Sequence, residues 1–107
     1  IIVPKHYTDE YSSCGHLYIT RVKGIDGKAR AEIITKMAEQ GIACNVHYKP
    51  LPMHTAYKQL GFDVKDYPNA YDYFINEITL PLHTCLTDEQ VDYVIEKYKE
   101  IVKEYSV

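Results

Sequence analysis

Residues 87–105 read TDEQVDYVIEKYKEIVKEY and predict a long amphipathic helix. Thr87 and Gln90 form a capping box, because a threonine at the N-cap and a glutamine three positions later each accept a backbone N–H that the helix leaves unpaired. Apolar side chains then recur at helical spacing in one continuous stripe: Val91, Val94, Ile95, Tyr98, Ile101, Val102 and Tyr105. A helix with such a stripe needs an apolar surface to cover, so the remaining sequence must supply one.

Three upstream segments supply that surface, because their apolar and polar residues alternate as they do in strands. They are residues 15–22 (GHLYITRV), residues 42–48 (IACNVHY), and the segment that has Ile78, Leu80 and Leu82 on one side and ends near Pro81. Together they predict a small sheet.

Three further helices are predicted between these strands. They cover residues 28–40, residues 55–60 and residues 68 to about 76. Gly41 and Gly61 follow the first two as left-handed helix stops, and Pro68 suits the first turn of the third.

The order of elements predicts an α+β (two-layer α/β) fold in which helices cover a small sheet. The chain has 107 residues, the size of a single domain (residues 1–107) with enough buried surface for a core. A net charge of −3 gives no electrostatic footprint for nucleic acid, and no apolar run approaches the ~20 residues that span a bilayer. We therefore expect neither a nucleic-acid nor a membrane partner.

Residue usage adds three expectations. Eleven tyrosines beside two phenylalanines suit half-buried surfaces and interfaces. The chain begins Ile1-Ile2-Val3-Pro4 without an initiator methionine, so we expect it to be processed or cut from something longer. Three cysteines, an odd number, indicate reduced thiols in a cytosolic protein and not a disulfide framework.

Each cysteine lies near a histidine in the sequence, which leaves a zinc site as an alternative. The pairs are Cys14 with His16, Cys44 with His47, and Cys85 with His83. Two such pairs provide four ligands, although none has the CxxC spacing of common zinc motifs. A nucleophile pair of Cys44 and His47 is disfavoured, because residues three apart on a strand point to opposite faces.

The stretch richest in chemical groups is residues 45–54, NVHYKPLPMH. It places His47, Tyr48 and Lys49 at the end of a predicted strand, in a loop stiffened by prolines, and such loops carry many ligand sites. The alternative is that Tyr48 packs in the interior, a backbone carbonyl caps His47 and Lys49 is solvated. No GxGxxG, Walker, GxSxG or HExxH motif occurs, so no catalytic residue is predicted.

This loop also carries a resemblance to a known family. Residues 41–51, GIACNVHYKPL, are similar to a Gly-Ile strand entry followed by His-Tyr-x-Pro-Leu in the DegT/DnrJ/EryC1/StrS family of pyridoxal-phosphate-dependent sugar aminotransferases. Further pieces match in the same order: Ala56-Tyr57, Leu60-Gly61, Asp66-Tyr67-Pro68, Leu80-Pro81-Leu82 and residues 86–94, while residues 13–22 are similar to a Ser-x-x-His-Leu strand. Because the pieces keep their order over the whole chain, the chain resembles the C-terminal small domain of these enzymes.

The resemblance implies a mainly antiparallel sheet covered by helices, as in the small domain of fold-type I aminotransferases. It implies part of a longer enzyme that moves an amino group, usually from glutamate, to a nucleotide-linked keto sugar in cell-surface polysaccharide or deoxyamino-sugar biosynthesis. Pyridoxal phosphate would be held by a large N-terminal domain with the Schiff-base lysine, which this chain lacks. His47, Tyr48 and Lys49 would line the nucleotide-sugar side of a cytoplasmic homodimer. The fragment alone would be inactive, with no cofactor or metal.

The sequence departs from the family pattern at three places, which bear on substrate identity and not on the fold. Pro52 stands where a second histidine is frequent, Tyr71 where a glutamate is frequent, and His83-Thr84 replaces an aromatic-proline pair. Two other functions stay open: a free-standing small-molecule-binding or regulatory module that uses the same loop, and a zinc-binding interaction module.

Overall fold

Two short strands form the sheet in the computed structural model, which describes residues 1–105. The elements, in chain order, are β1 (Tyr18–Arg21), α1 (Gly27–Glu39), α2 (Thr55–Gln59), α3 (Pro68–Asn76), β2 (Glu77–Leu80) and α4 (Asp88–Lys103). Short 3₁₀ helices at Leu51–Met53 and Val64–Asp66 precede α2 and α3. The predicted α+β fold, with helices and a small antiparallel sheet, is confirmed.

The sheet pairs β1 with β2, and one further residue bridges to each of its edges. The antiparallel register sets Tyr18 opposite Leu80, Ile19 opposite Thr79, Thr20 opposite Ile78 and Arg21 opposite Glu77. On the β1 side, Ile2 forms a bridge with Arg21; on the β2 side, Asn45 forms a bridge with Thr79. The segment before β1 and the segment after α1 therefore both run along the sheet.

The predicted strand at residues 42–48 does not form, and backbone hydrogen bonding gives the reason. Within this segment only Asn45 joins the sheet, donating its N–H to the Thr79 carbonyl (3.1 Å) and accepting the Thr79 N–H (2.9 Å). The next N–H donates to the side chain of Asn45 (2.7 Å), and the N–H of His47 donates to the carboxylate of Glu77. Side-chain acceptors thus replace the ladder that a strand would need.

Of the other two strands, β1 is shorter than predicted, and β2 ends beside Pro81 as predicted. β1 begins at Tyr18, three residues after Gly15, where a positive φ of +67° turns the chain. β2 ends at Leu80, because Pro81 has no N–H to donate to a ladder. Leu82 consequently lies outside the strand and is 44% exposed, so the prediction that it shares the buried side is wrong.

All four predicted helices are confirmed. Gly41 and Gly61 adopt positive φ values of +76° and +92° just after α1 and α2, as the helix stops require. The capping box of α4 forms: the Gln90 N–H donates to Thr87 Oγ1 (3.2 Å), and the Thr87 N–H donates to Gln90 Oε1 (3.0 Å). Among residues 1–105, no helix combines the length and the apolar character needed to cross a membrane.

The core lies where α1 and α4 cover the sheet. Its buried apolar residues are Val22, Ile25, Ile33, Met37, Ile42, Ile78, Leu80, Tyr98, Ile101 and Val102. Tyr98 also brings a hydroxyl inside, 2.7 Å from Thr20 Oγ1, which donates to the Ile78 carbonyl (2.8 Å). Burial raises the pKa of Tyr98 to about 12, so its hydroxyl stays neutral.

The apolar stripe of α4 is buried over only part of its length. Val91 and Ile95, in the first half, are 39% and 47% exposed, so the predicted continuous buried stripe is wrong there. The sheet has two strands and β2 stops at Leu80, so Tyr18 and Leu80 at its end cover this part of the helix only partly.

Candidate functional site

The loop of residues 45–54 leaves the outer edge of β2 and carries the three predicted site residues in succession, of which His47 and Tyr48 are in contact. His47 is half-buried, Tyr48 is 71% exposed and Lys49 is exposed. The peptide bond between His47 and Tyr48 is cis, and their rings meet edge to face with 4.7 Å between centroids. The exposure of Tyr48 excludes the alternative in which this side chain packs in the interior.

His47 is held from behind by two side chains of β2. Its backbone N–H donates to one carboxylate oxygen of Glu77. Its ring Nδ1 lies 2.9 Å from Thr79 Oγ1, and that hydroxyl donates to the second carboxylate oxygen of Glu77 at 3.4 Å. Side chains, and not a backbone carbonyl, therefore fix this histidine. We call these three residues the His47–Thr79–Glu77 network.

Glu77 is a carboxylate with no exposed surface (0%). Burial raises its pKa, and the His47 N–H, the Thr79 hydroxyl and the charges of His47 and Arg30 act against that rise. Hydrogen bonds and a nearby cation are what a buried carboxylate needs in order to stay charged. The network therefore places a partly compensated negative charge directly behind the loop.

Arg30 of α1 is the cation that acts on this charge. Its guanidinium lies 4.4 Å from the centroid of the Phe74 ring and donates to the Phe74 carbonyl. Burial lowers the pKa of Arg30, and the charge of Glu77 raises it. Each of these two groups therefore favours the charged form of the other.

Glu77, Thr79 and Arg30 were missed by the sequence analysis. Period-two alternation puts Glu77 and Thr79 on the polar side of a strand, which predicts exposure, yet every residue of β2 is buried. A usable signal is the sequence EITL itself, since a lone carboxylate in an otherwise apolar and threonine strand is typical of a paired, buried group.

The surface of the chain has two apolar grooves, one beside the loop and one beside the sheet. The loop groove, about 430 Å³, is lined by Pro50, Leu51, Pro52, Tyr57, Phe62, Tyr67 and Ala70. The strand groove, about 230 Å³, lies between the end of β2 and the first half of α4, and includes Leu82, Val91 and Ile95. Contiguous apolar surface on a small domain is typical of a place where another protein surface binds.

The cysteines do not assemble a metal site. Cys14 and Cys85 are exposed, and Cys44 is half-buried, where burial raises its pKa to about 11. Within residues 1–105, no group of three or more histidine, cysteine, aspartate or glutamate side chains could hold a metal ion. This finding removes the basis for the zinc-binding interaction module.

The lysines do not fit a pyridoxal phosphate site within this chain. A Schiff-base lysine needs a neutral amine in a pocket that also accepts a phosphate. Apart from Lys36 and Lys97, every lysine is exposed. These two pair with Glu104 and Glu100, and those hydrogen bonds raise the pKa of both amines. The cavity of about 200 Å³ that they share is also lined by glutamates, which repel a phosphate.

The fold and the loop are those of the sugar-aminotransferase class. The "putative sugar aminotransferase Spr1654" from Streptococcus pneumoniae, in its PLP form, superposes with a TM-score of 0.95 and 54% identity, over 99% of this chain and 27% of that chain. Its PMP form superposes with a TM-score of 0.94 and 55% identity, over 96% of this chain and 26% of that chain.

The chain belongs to the DegT/DnrJ/EryC1/StrS aminotransferase family, whose model matches residues 2–99. The spore coat polysaccharide biosynthesis protein SpsC of Bacillus subtilis (strain 168) is 37% identical over 98 residues, 89% of this chain and 25% of that protein. The UDP-4-amino-4,6-dideoxy-N-acetyl-beta-L-altrosamine transaminase of Helicobacter pylori is 27% identical over 104 residues, 97% of this chain and 28% of that protein. The chain spans about a quarter of the length of these curated relatives.

Proposed function

We propose that residues 1–107 are the C-terminal small domain of a longer pyridoxal-phosphate-dependent aminotransferase that acts on a nucleotide-linked keto sugar. The observation that carries the proposal is the TM-score of 0.95 against the Streptococcus pneumoniae protein, which is described as a sugar aminotransferase and solved in a PLP form. The names of the Bacillus and Helicobacter relatives support polysaccharide biosynthesis and a UDP-linked sugar. Glutamate is the proposed amino donor.

In this proposal the loop binds and orients the sugar nucleotide and takes no covalent part in the reaction. Lys49 places an exposed ammonium where it attracts the diphosphate of a nucleotide sugar. Tyr48 offers an exposed ring on which a sugar or base packs, and the half-buried ring of His47 offers a polar atom at a fixed position. The cofactor and its lysine belong to the part of the enzyme outside residues 1–107.

The chain alone is proposed to be inactive, and cofactor retention tests this. After the 107-residue chain is mixed with pyridoxal phosphate and passed through a gel-filtration column, the protein fractions should carry no cofactor absorbance in the region of about 330–420 nm. The longer enzyme, treated in the same way, should retain it. Stoichiometric retention by the chain alone would contradict the proposal.

Variants of the longer enzyme test the role of the loop. Replacing His47→Gln or Lys49→Gln should each raise KM for the nucleotide sugar about tenfold, the scale of one lost hydrogen bond or charge contact. His83→Gln is the matched control, since it changes an exposed histidine outside the loop in the same way. An unchanged KM in both loop variants would rule out this role.

We further propose that the longer enzyme is a cytoplasmic homodimer. The loop groove and the strand groove support this quaternary arrangement, because both leave apolar surface without cover in the described chain. The molecular mass of the longer enzyme in solution, measured by light scattering, tests it, and a monomeric mass would contradict it.

A further inference from the structure

The hydrogen-bonded network behind the loop determines which tautomer of His47 faces the ligand. We propose that Glu77 and Thr79 are positioning residues that hold His47 as its Nδ1–H tautomer, so that Nε2 is an acceptor for a hydrogen-bond donor of the substrate, such as a sugar hydroxyl. The role in substrate binding rests on the function proposed above. The tautomer itself is measurable without any substrate.

The direction of the hydrogen bonds follows from counting protons. An ionised carboxylate only accepts, and Glu77 accepts the backbone N–H of His47 on one oxygen and the hydroxyl of Thr79 on the other (3.4 Å). A hydroxyl has a single proton, so Thr79 Oγ1 must accept at its contact with the His47 ring (2.9 Å). Nδ1 therefore carries the ring proton, and in a neutral imidazole Nε2 is left unprotonated.

The directions of the hydrogen bonds in the His47–Thr79–Glu77 network depend on whether Glu77 is ionised. The groups around Glu77 determine its ionisation. Burial disfavours the ionised carboxylate, whereas the backbone N–H of His47, the hydroxyl of Thr79 and the charge of Arg30 favour it. Tyr98 from α4 is also near this charge, and Cys44 from the segment after α1 is near Tyr98; both remain neutral because burial raises the pKa of each. A neutral acid at position 77 would reverse the chain of donors, because its proton would go to Thr79 and the Thr79 proton to Nδ1.

The outward nitrogen of His47 is free to meet a ligand. Within residues 1–105, Nε2 has no hydrogen-bond partner, and it is not among the buried polar atoms that lack one. The ring lies beside the exposed ring of Tyr48, at 4.7 Å and nearly perpendicular to it.

Nitrogen-15 NMR of the histidine-labelled chain tests the tautomer directly, because protonated and unprotonated ring nitrogens resonate far apart. At about pH 8, where imidazoles are neutral, the wild-type chain should show His47 as the Nδ1–H form by about tenfold over the other tautomer, the worth of one hydrogen bond. His47→Gln assigns the signal among the five histidines.

Three substitutions test whether the hydrogen bonds of Glu77 and Thr79, and not packing alone, determine the tautomer of His47. In Glu77→Gln the amide oxygen accepts the backbone N–H of His47, so the amide N–H₂ donates to Thr79 Oγ1. The Thr79 hydroxyl then donates to Nδ1 of His47, and the tautomer should invert to Nε2–H. Thr79→Val should release the ring to the Nε2–H form that free imidazoles favour in water, whereas Thr79→Ser should retain Nδ1–H. Thr35→Val, on the exposed face of α1, is the matched control and should change nothing at His47.

The outcomes test separately the effect of the His47–Thr79–Glu77 network on the tautomer and the contact between His47 and the substrate. The proposed role of the His47–Thr79–Glu77 network is overturned if His47 is the Nε2–H tautomer in the wild-type chain. It is also overturned if Thr79→Val keeps the Nδ1–H tautomer. If Glu77→Gln does not fold, the two Thr79 variants still decide, because they keep the buried carboxylate. In the longer enzyme, Thr79→Val should raise KM for the nucleotide sugar about tenfold and Thr79→Ser should restore it. An inverted tautomer with unchanged KM would overturn the contact between His47 Nε2 and the substrate, whereas the role of the loop as a whole is decided by the KM of His47→Gln and Lys49→Gln.

Discussion

At the scale of single residues, Tyr98 joins α4 to both strands of the sheet. Its hydroxyl donates to Thr20 Oγ1 (2.7 Å), which in turn donates to the carbonyl of Ile78 (2.8 Å). Every polar atom in this chain of contacts is buried and has a partner, which is the condition under which a buried hydroxyl stabilises a fold. The ionised form of Tyr98 would lose this arrangement, so the tyrosine makes stability depend on pH.

Tyr98→Phe is expected to cost about 1 kcal/mol of unfolding free energy at neutral pH, because one buried hydrogen bond is lost. The pKa of Tyr98 is raised to about 12 by burial, from 10.0. A raised pKa gives stability that is present below the unfolded value and is lost as the pH rises through the folded value. The wild-type advantage should therefore shrink or reverse at about pH 11.

Urea denaturation followed by circular dichroism, on both chains at neutral pH and at about pH 11, measures this difference. Burial also raises the pKa of Cys44 to about 11, and its charge acts on Tyr98, so both chains should carry Cys44→Ser to remove this titration from the comparison. Tyr7→Phe is the control, since Tyr7 is 79% exposed. A difference between wild type and Tyr98→Phe that stays the same at both pH values would contradict the expectation.

The burial of Tyr98 was predictable from helical spacing, whereas the environment of residues such as Glu77 and Arg30, which distant segments set, was not. The spacing of Tyr98 in residues 87–105 predicted its burial, because a helix converts local spacing directly into a face. The burial of Glu77 depends on Arg30 and on the loop at His47, which lie 47 and 30 positions earlier in the chain. The alternation of side chains along a strand gives no information about partners that lie so far away in the sequence.

At the scale of elements, the same distinction separates the helices from the predicted strand at residues 42–48. The end of α1 is specified locally by Gly41, and the start of α4 by Thr87 and Gln90. Residues 42–48 have the alternation of a strand, but the donors that would form its ladder are taken by side chains of Asn45 and Glu77. Alternation shows that a segment is extended and does not show that it pairs.

Two glycine substitutions at opposite ends of α1 test the stop at Gly41. Gly41→Ala should lower the free energy of unfolding by about 1 kcal/mol, because φ is +76° and an L side chain is disfavoured there. Gly27→Ala, at the first residue of α1, should be neutral or stabilising by up to about 1 kcal/mol, because its backbone is helical.

The pair is well matched, because an added Cβ meets nothing within 4 Å at either position. Any difference between the two therefore comes from backbone conformation and not from packing. Thermal unfolding by circular dichroism measures both. Equal melting temperatures for the two variants would show that the left-handed stop is not needed.

At the scale of the whole molecule, the chain folds around its own core and still leaves apolar surface open. Its core is contributed by α1, α4, both strands and the segments next to them, whereas nothing within residues 1–105 covers the loop groove or the first half of α4. Tyr48, Tyr67 and Tyr71 are 71%, 43% and 43% exposed on the segments around the loop. The tyrosine-rich composition therefore corresponds in part to surface and not to core.

The isolated chain is expected to self-associate, because another copy is then the available partner for this surface. The double substitution Leu51→Glu with Leu60→Glu should shift the chain toward monomer. The two leucines are 58% and 73% exposed, so each glutamate places a charge on an apolar surface. Val3→Glu, at a side chain 55% exposed in the first segment, is the control. Sedimentation velocity over a range of concentrations measures the association, and a wild-type chain that stays monomeric throughout would contradict it.

The two single bridges at the sheet edges decide what form such association takes. Ile2 occupies the N–H and the carbonyl of Arg21 on one edge, and Asn45 occupies those of Thr79 on the other. With strands of four residues each, little unpaired backbone is left as a template for strand addition. Assemblies of this chain should accordingly form through side-chain faces, dissociate on dilution and bind no amyloid dye, and removal of the residues before β1 would expose the edge that Ile2 now closes.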